Sequence, residues 1–214
     1  SRAWLEKVEQ VRIRRDELEA RGLLDGASPE DLAELGAALT GTLRIPIIPV
    51  HYADVRVPFA GGELESRLFG PSRGDTVSFR DYWTEVSGGL LSVEGQVAPW
   101  VTLKKPARHY LPADQHGWSS FGRIVELREE ALLGAAGSID FAEFDNDGPD
   151  GIPNSGDDDG FVDFVAIVYA VECPGDGRAG GIWPHRAAMS PFATGSIGID
   201  GQPIRVADYV VLPV

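Results

Sequence analysis

A chain of 214 residues with 43% hydrophobic and 9% aromatic content can bury a full core, which excludes disorder as its organising state. Its formal net charge of -14 argues against nucleic acid and anionic membrane as partners, since both need a basic face to neutralise phosphate. No apolar run approaches the roughly 18 to 20 residues of a membrane span, no signal peptide is recognisable at the start, and the single cysteine, Cys173, offers no internal disulfide.

Residues 3 to 21 are free of glycine and proline and place Trp4, Val8, Val11 and Leu18 on one side, which predicts an amphipathic helix ended by Gly22. Ser28-Pro29-Glu30-Asp31 is a helix start, with serine as cap and proline at the first position, followed by Leu32, Leu35 and Leu39. These two helices form a segment apart, residues 1 to 41, and the main domain is expected over 42 to 214. Residues 43 to 55, LRIPIIPVHYADV, read as a buried strand, although Pro46 and Pro49 argue against a central place for it. Residues 55 to 77 read as loop with one helical turn. Ser78 caps a helix over FRDYWTEVS, with Asp81 placed for a capping box and Gly88-Gly89 as the stop. Leu90 to Gln96 and Val97 to Leu103 alternate as strands, and a helix is expected over about 119 to 134. FVDFVAIVYAV at 161 to 171 is the strongest strand in the chain, and the tail reads as glycine-rich turns alternating with short strands.

The densest chemistry lies at 145 to 163, DNDGPDGIPNSGDDDGFVD, where seven aspartates stand with no lysine or arginine among them. Carboxylates this crowded repel, and a hard cation bound through their oxygens relieves the repulsion. Asp145, Asp147, Asp150, Asp157, Asp159 and Asp163 are the candidate calcium ligands, and glycines at 148, 151, 156 and 160 permit the tight turns that would converge them. The loop is not an EF-hand, since no glutamate closes it at the twelfth position and a strand follows. Weak calcium sites fill where calcium is abundant, so a secreted, extracellular protein is expected.

Other chemistries find little support. His51, His109, His116 and His185 fall in no zinc-ligand spacing, and one cysteine makes no thiolate cluster. His185, in IWPHR, is a candidate for a cleft margin, with a packing role as the alternative. There is no GxSxG elbow, no phosphate-cradling glycine loop, and nothing that marks Cys173 as a lowered-pKa nucleophile.

Taken in order, HYADV at 51 to 55, VSFRDYWTEVSGGLLSVEGQVAPWVTL at 77 to 103, FAEFDNDGPDGIPNSGDDDGFVDFVAIVYA at 141 to 170 and GGIWPHRAA at 180 to 188 resemble the immune-inhibitor-A family of secreted bacterial zinc metallopeptidases over roughly residues 43 to 214. Asp145, Asp147, Asp159 and Asp163 match the four aspartates of that family's compact loop, and residues 149 to 158 look like an insertion that adds Asp150 and Asp157. The resemblance implies an α/β fold, a mixed twisted sheet with flanking helices, as in the amino-terminal subdomain of zincins and metzincins. It also implies a protein or peptide substrate held as an added strand at a sheet edge. The family's zinc ligands lie in an HExxHxxG helix that this sequence lacks, so the expectation is the amino-terminal half of a catalytic domain, inactive alone, with zinc held beyond Val214. Residues 1 to 41 would then be a propeptide remnant or a helical cap, and the remainder of the same protein a partner. The rival reading is a non-catalytic calcium-stabilised interaction or assembly module on a peptidase-derived scaffold.

Overall fold

A computed structural model describes residues 1–111, 121–170, 182 and 184–214. The first helix is as the pattern predicts, whereas the second ends at Glu34, short of Leu35 and Leu39. Helix α1 (Arg2–Ala20) turns Trp4, Val8 and Val11 to a half-buried side and buries Leu18, and Arg14 Nε donates to the Leu35 carbonyl at 3.0 Å. Helix α2 (Pro29–Glu34) starts in a reciprocal capping box, Ser28 Oγ accepting from Asp31 N while the Asp31 carboxylate accepts from Ser28 N.

The main body is a six-stranded mixed sheet built on β1 (Gly41–His51), with β2 (Leu91–Val97), β3 (Val101–Thr102), β4 (Ala166–Tyr169), β5 (His185–Ile197) and β6 (Pro203–Pro213). The order is β2-β1-β4-β6-β5, with β3 continuing the β2 side of β1. All pairings are parallel except β5 with β6, which makes β5 an antiparallel edge.

Strand β1 is therefore central despite its prolines, and the ladder shows why. The Ile47 and His51 carbonyls accept from Ala98 N and Leu103 N on one side, while the Val50 carbonyl accepts from Ala170 N on the other. Alternation then aims the missing N–H of Pro49 at residues 98 to 100, the gap between β2 and β3. That of Pro46 points to the β4 side, one residue before pairing begins at Ile47. Each proline faces a break in the ladder.

Both sheet faces are covered. On one, Ile45, Ile47, Val93, Val97, Ala166 and Val168 pack under Leu64 with Phe59, Leu68 and Phe69. Leu64, Leu68 and Phe69 lie on α3 (Gly61–Phe69), a nine-residue helix where the sequence reading placed loop. The Gly61-Gly62 start hid it, and its side chains hold because they bury apolar surface on the sheet. Helix α4 (Phe79–Val86) follows, capped by Ser78 Oγ as expected, but Asp81 does not complete a capping box. Its carboxylate instead accepts from Ser72 N and Oγ and closes the preceding loop. On the other face, the short α5 (Ala107–Tyr110) and α6 (Phe121–Ala135) contribute Tyr110, Ile124, Leu127, Ala131 and Leu132 against Ile48, Val50, Ile167 and Val211.

Two expectations about strands are corrected. The run from 161 forms a strand only over 166–169, because Val162 N and Asp163 N are drawn to the carbonyls of Arg205 and Phe144 before pairing with β1 begins; residue 171 lies outside the described residues. The tail is one long hairpin rather than short strands, its thirteen-residue β5 accommodating Pro191 and Gly195 through irregular register with β6.

Gly95 on β2 marks the tightest packing in this layer: a Cβ there would lie 2.3 Å from the Ile45 carbonyl oxygen and 2.3 Å from the Phe69 ring. Gly95→Ala should lower unfolding free energy by about 1–3 kcal/mol, the usual cost of overpacking a close contact. Urea denaturation measures it, and a change below about 0.5 kcal/mol, the scatter of ordinary surface substitutions, would contradict the packing described.

Candidate metal centre

The acidic loop leaves a single 3-10 turn, Phe141–Phe144, and returns to the sheet at β4, so it sits at the amino ends of the parallel strands. Of its carboxylates, those of Asp145, Asp147 and Asp163 meet, each offering an oxygen within 4.8 Å of the others. Asp145 and Asp163 are buried and Asp147 is half-buried. Asp145 Oδ2 accepts from Gly160 N at 3.0 Å, whereas its Oδ1 is buried with no hydrogen-bond donor. The neighbouring Asn146 Oδ1 is orphaned in the same way, although its Nδ2 donates to the Thr42 carbonyl and ties the loop to β1. Buried acceptors without a protein donor call for a water or an ion as partner.

Residues 148 to 158 fold back on themselves. Gly148 N and Ser155 N donate to the two oxygens of Asp158, at 2.7 and 3.1 Å. Asp150 accepts from Ile152 N, and Asp157 accepts from Ser155 Oγ and, at 3.4 Å, from Asp150 N. Asp150 and Asp157 are thus engaged in local turns, and Asp159 accepts from Phe161 N beside the triad. A Cβ at Gly148 would come within 2.4 Å of Asp157 Oδ1, so a side chain there would displace that carboxylate. Asn154, at φ +52°, accepts from Ile199 N and fastens the loop to the β5–β6 turn.

Burial dominates the electrostatics. It raises Asp145 to about 7, helped by Asp158, Asp159 and Asp147, and raises Asp163 to about 8, helped by Asp147. Asp158 and Asp159 are raised as well, again mainly by burial.

The histidines among the described residues are not gathered. His51 meets the Val55 carbonyl and Thr102 Oγ1, and His109 pairs with Glu126 at 2.7 Å. His185 stacks edge-on against Tyr209 at 5.7 Å, which fits the packing role. His116 and Cys173 lie outside the described residues. Among the described residues, the aspartate triad is the one cluster of three or more metal-ligand groups, and its donors are all hard oxygens. One contact escaped the sequence reading: Ser1, whose hydroxyl donates to Asp147 at 2.6 Å, carries no sequence signal for a partner 146 residues away. Asp158, left out of the candidate ligands, is engaged by Gly148 N and Ser155 N outside the triad.

A family model described as immune inhibitor A peptidase M6, catalytic domain, matches residues 56–213. The chain is 31% identical over 124 residues to Immune inhibitor A of Bacillus thuringiensis subsp. alesti, covering 53% of this chain and 18% of that protein. It is 31% identical over 153 residues to the Pre-pro-metalloprotease PrtV of Vibrio cholerae serotype O1 (strain M66-2), covering 67% of this chain and 16% of that protein. The chain spans less than a fifth of the length of these relatives.

A carboxyl whose folded-state pKa is raised binds its proton more tightly when folded, so ionising it destabilises the fold. Without added cation, this contribution should fall as pH rises from the usual carboxyl value of 3.8 and level off above about 8. Melting temperatures in chelator across that range test it. Asp163→Asn should flatten the decline, and a decline equally steep in the variant would clear Asp163 of responsibility.

Proposed function

The chain belongs to the immune inhibitor A peptidase M6 family, and on that premise we propose that it forms the amino-terminal part of the catalytic domain of a secreted zinc endopeptidase. The observation that carries the reading is the family match across 56–213, which takes in β2 to β6 and the acidic loop together. Zinc does not fit the described residues of this chain. His51, His109 and His185 are dispersed among separate partners, and the one cluster among the described residues is all carboxylate. The zinc helix is accordingly assigned to sequence outside this chain, and no step of peptide hydrolysis is assigned to a residue within it.

This chain's part is scaffold and substrate support. Among the described residues strand β5 is the antiparallel edge of the sheet, thirteen residues long, and such an edge suits an extended peptide adding as a strand. Calcium at Asp145, Asp147 and Asp163 is the proposed brace. Three converging carboxylates with an orphaned buried oxygen favour a cation, and an all-oxygen, glycine-jointed loop suits calcium over a softer metal. Residues 1–41 are read as a propeptide segment ahead of a catalytic part at 42–214. The one fully buried side chain that α1 contributes is Leu18, a light attachment for nineteen residues, and the Vibrio relative is named a pre-pro-metalloprotease.

The gene should encode an HExxH motif after Val214. The protein that carries both parts should cleave peptides, lose that activity to a zinc chelator and regain it with zinc. A gene without the motif would leave the calcium-stabilised interaction module instead. For the brace, calcium at 100 times its dissociation constant should stabilise this chain by about 2.7 kcal/mol, a rise of roughly 5–10 °C in melting temperature. Asp163→Asn should abolish the rise, and a melt indifferent to calcium and to chelator would rule the brace out.

A further inference from the structure

We propose that the cleft between α3 and the loop leading into α4 binds a tetrahedral oxyanion of the phosphate class, free or as a monoester. The cleft has a volume of about 490 Å³, a size that suits a small molecule. Glu63, Ser66 and Arg67 of α3 line it from one side, and Arg73, Thr76 and Ser78 of the loop line it from the other. Ser78 is 3% exposed, so the cleft reaches down to a buried serine. Its hydroxyl accepts from Asp81 N and keeps its own hydrogen to donate. Among the described residues, the Arg73 guanidinium has no ion-pair partner, and the Ser66 and Thr76 hydroxyls make no hydrogen bond.

These donors are held in place without a ligand, which lowers the cost of binding one. The Asp81 carboxylate accepts from Ser72 N and Oγ at 2.8 and 2.7 Å, and Ser72 Oγ accepts from Ser78 N. The bonds from Ser72 hold the Asp81 carboxyl down at about 2, so it stays an anion engaged with the loop. The main chains of Arg73 and Thr76 pair with each other at 3.1 Å, and Gly70 turns so tightly that a Cβ there would lie 2.3 Å from the Ser66 carbonyl oxygen. On the facing side, Arg67 lies over the Phe59 ring at 5.5 Å and donates one N–H to Glu63 at 2.6 Å, which leaves its other N–H groups for a ligand. Glu63 is answered by Arg67 and Asp81 by Arg80, and Asp75 lies outside the lining, so Arg73 is the uncompensated cation of the cleft. Donors arriving from two sides suit a tetrahedral anion better than a planar carboxylate, and guanidinium forks match phosphate oxygens. The net charge of -14 opposes a polyanion, but physiological salt screens charges beyond about 8 Å from a single bound group.

The test titrates the intact chain calorimetrically with inorganic phosphate, glycerol phosphate and acetate at fixed ionic strength. Phosphate or its monoester should bind with a dissociation constant of about 1 mM or tighter, and acetate about tenfold more weakly. Both phosphate results support the site: a tighter monoester marks an esterified ligand, and equal affinities mark free phosphate. Arg73→Gln should weaken phosphate binding about tenfold or more, through loss of a charge-assisted contact. Glu63→Gln releases Arg67 and should tighten binding about threefold, the scale of an exposed ion pair. Both side chains are exposed, so each variant should melt within about 2 °C of the parent. No heat with phosphate at about 10 mM, acetate binding as tightly as phosphate, or binding unchanged in Arg73→Gln would each overturn the site.

Discussion

The confinement of like charge at the amino ends of the parallel strands is the constraint on which the rest of the structure depends. Asp145, Asp147 and Asp163 converge within 4.8 Å, and burial holds two of them far above the usual carboxyl pKa. Such a cluster opposes folding unless a cation or protons neutralise it. Four parts of the chain are fastened to it. Asn146 holds the start of β1 through the Thr42 carbonyl, and Asn154 holds the β5–β6 turn through Ile199. Asp163 leads directly into β4, and Ser1 brings α1. Whatever neutralises the cluster therefore fixes both sides of the sheet at one end.

The remainder of the sheet shows the same economy of position. Pro46 and Pro49 sit in the central strand because each faces a break in the ladder, and Gly95 sits where Phe69 of α3 must approach the β1 backbone. The break at residues 98–100 divides β2 from β3, and the one-residue slip in register across it brings Val101 and Thr102 beside Val50 and His51. Without that slip Pro49 would face a continuous strand with no hydrogen to donate.

Much of this was legible in the sequence, for physical reasons that differ by element. The α1 stripe, the Ser28 and Ser78 caps and the apolar core of β4 are local signals, set by periodicity or by a hydroxyl three residues from its partner, and each was read correctly. Helix α3 was missed because two glycines open it and only the sheet beneath stabilises its apolar side. The length of β5 and β6 was missed because each strand is held by its partner across the hairpin, which no local pattern reports. Within the loop, composition marked the whole aspartate run. It did not separate the three carboxylates that meet from those engaged in turns, since that division depends on how residues 149–158 fold back. Ser1 was invisible, because a single serine 146 residues from Asp147 in sequence carries no pattern at all.

The acidic loop draws attention as a reaction site because it holds so much of the charge, yet its geometry argues for support. A carboxylate that acts on a substrate must reach it, and Asp145 and Asp163 are 2% and 1% exposed, enclosed by Asn146, Gly160 and Ser1. The loop also lies at the amino ends of the parallel strands. In open α/β sheets ligands are met at the opposite, carboxyl ends, which here carry His51, Thr102 and Tyr169. Charge placed at one end of the sheet thus ties the start of β1, the entry to β4 and the β5–β6 turn together there.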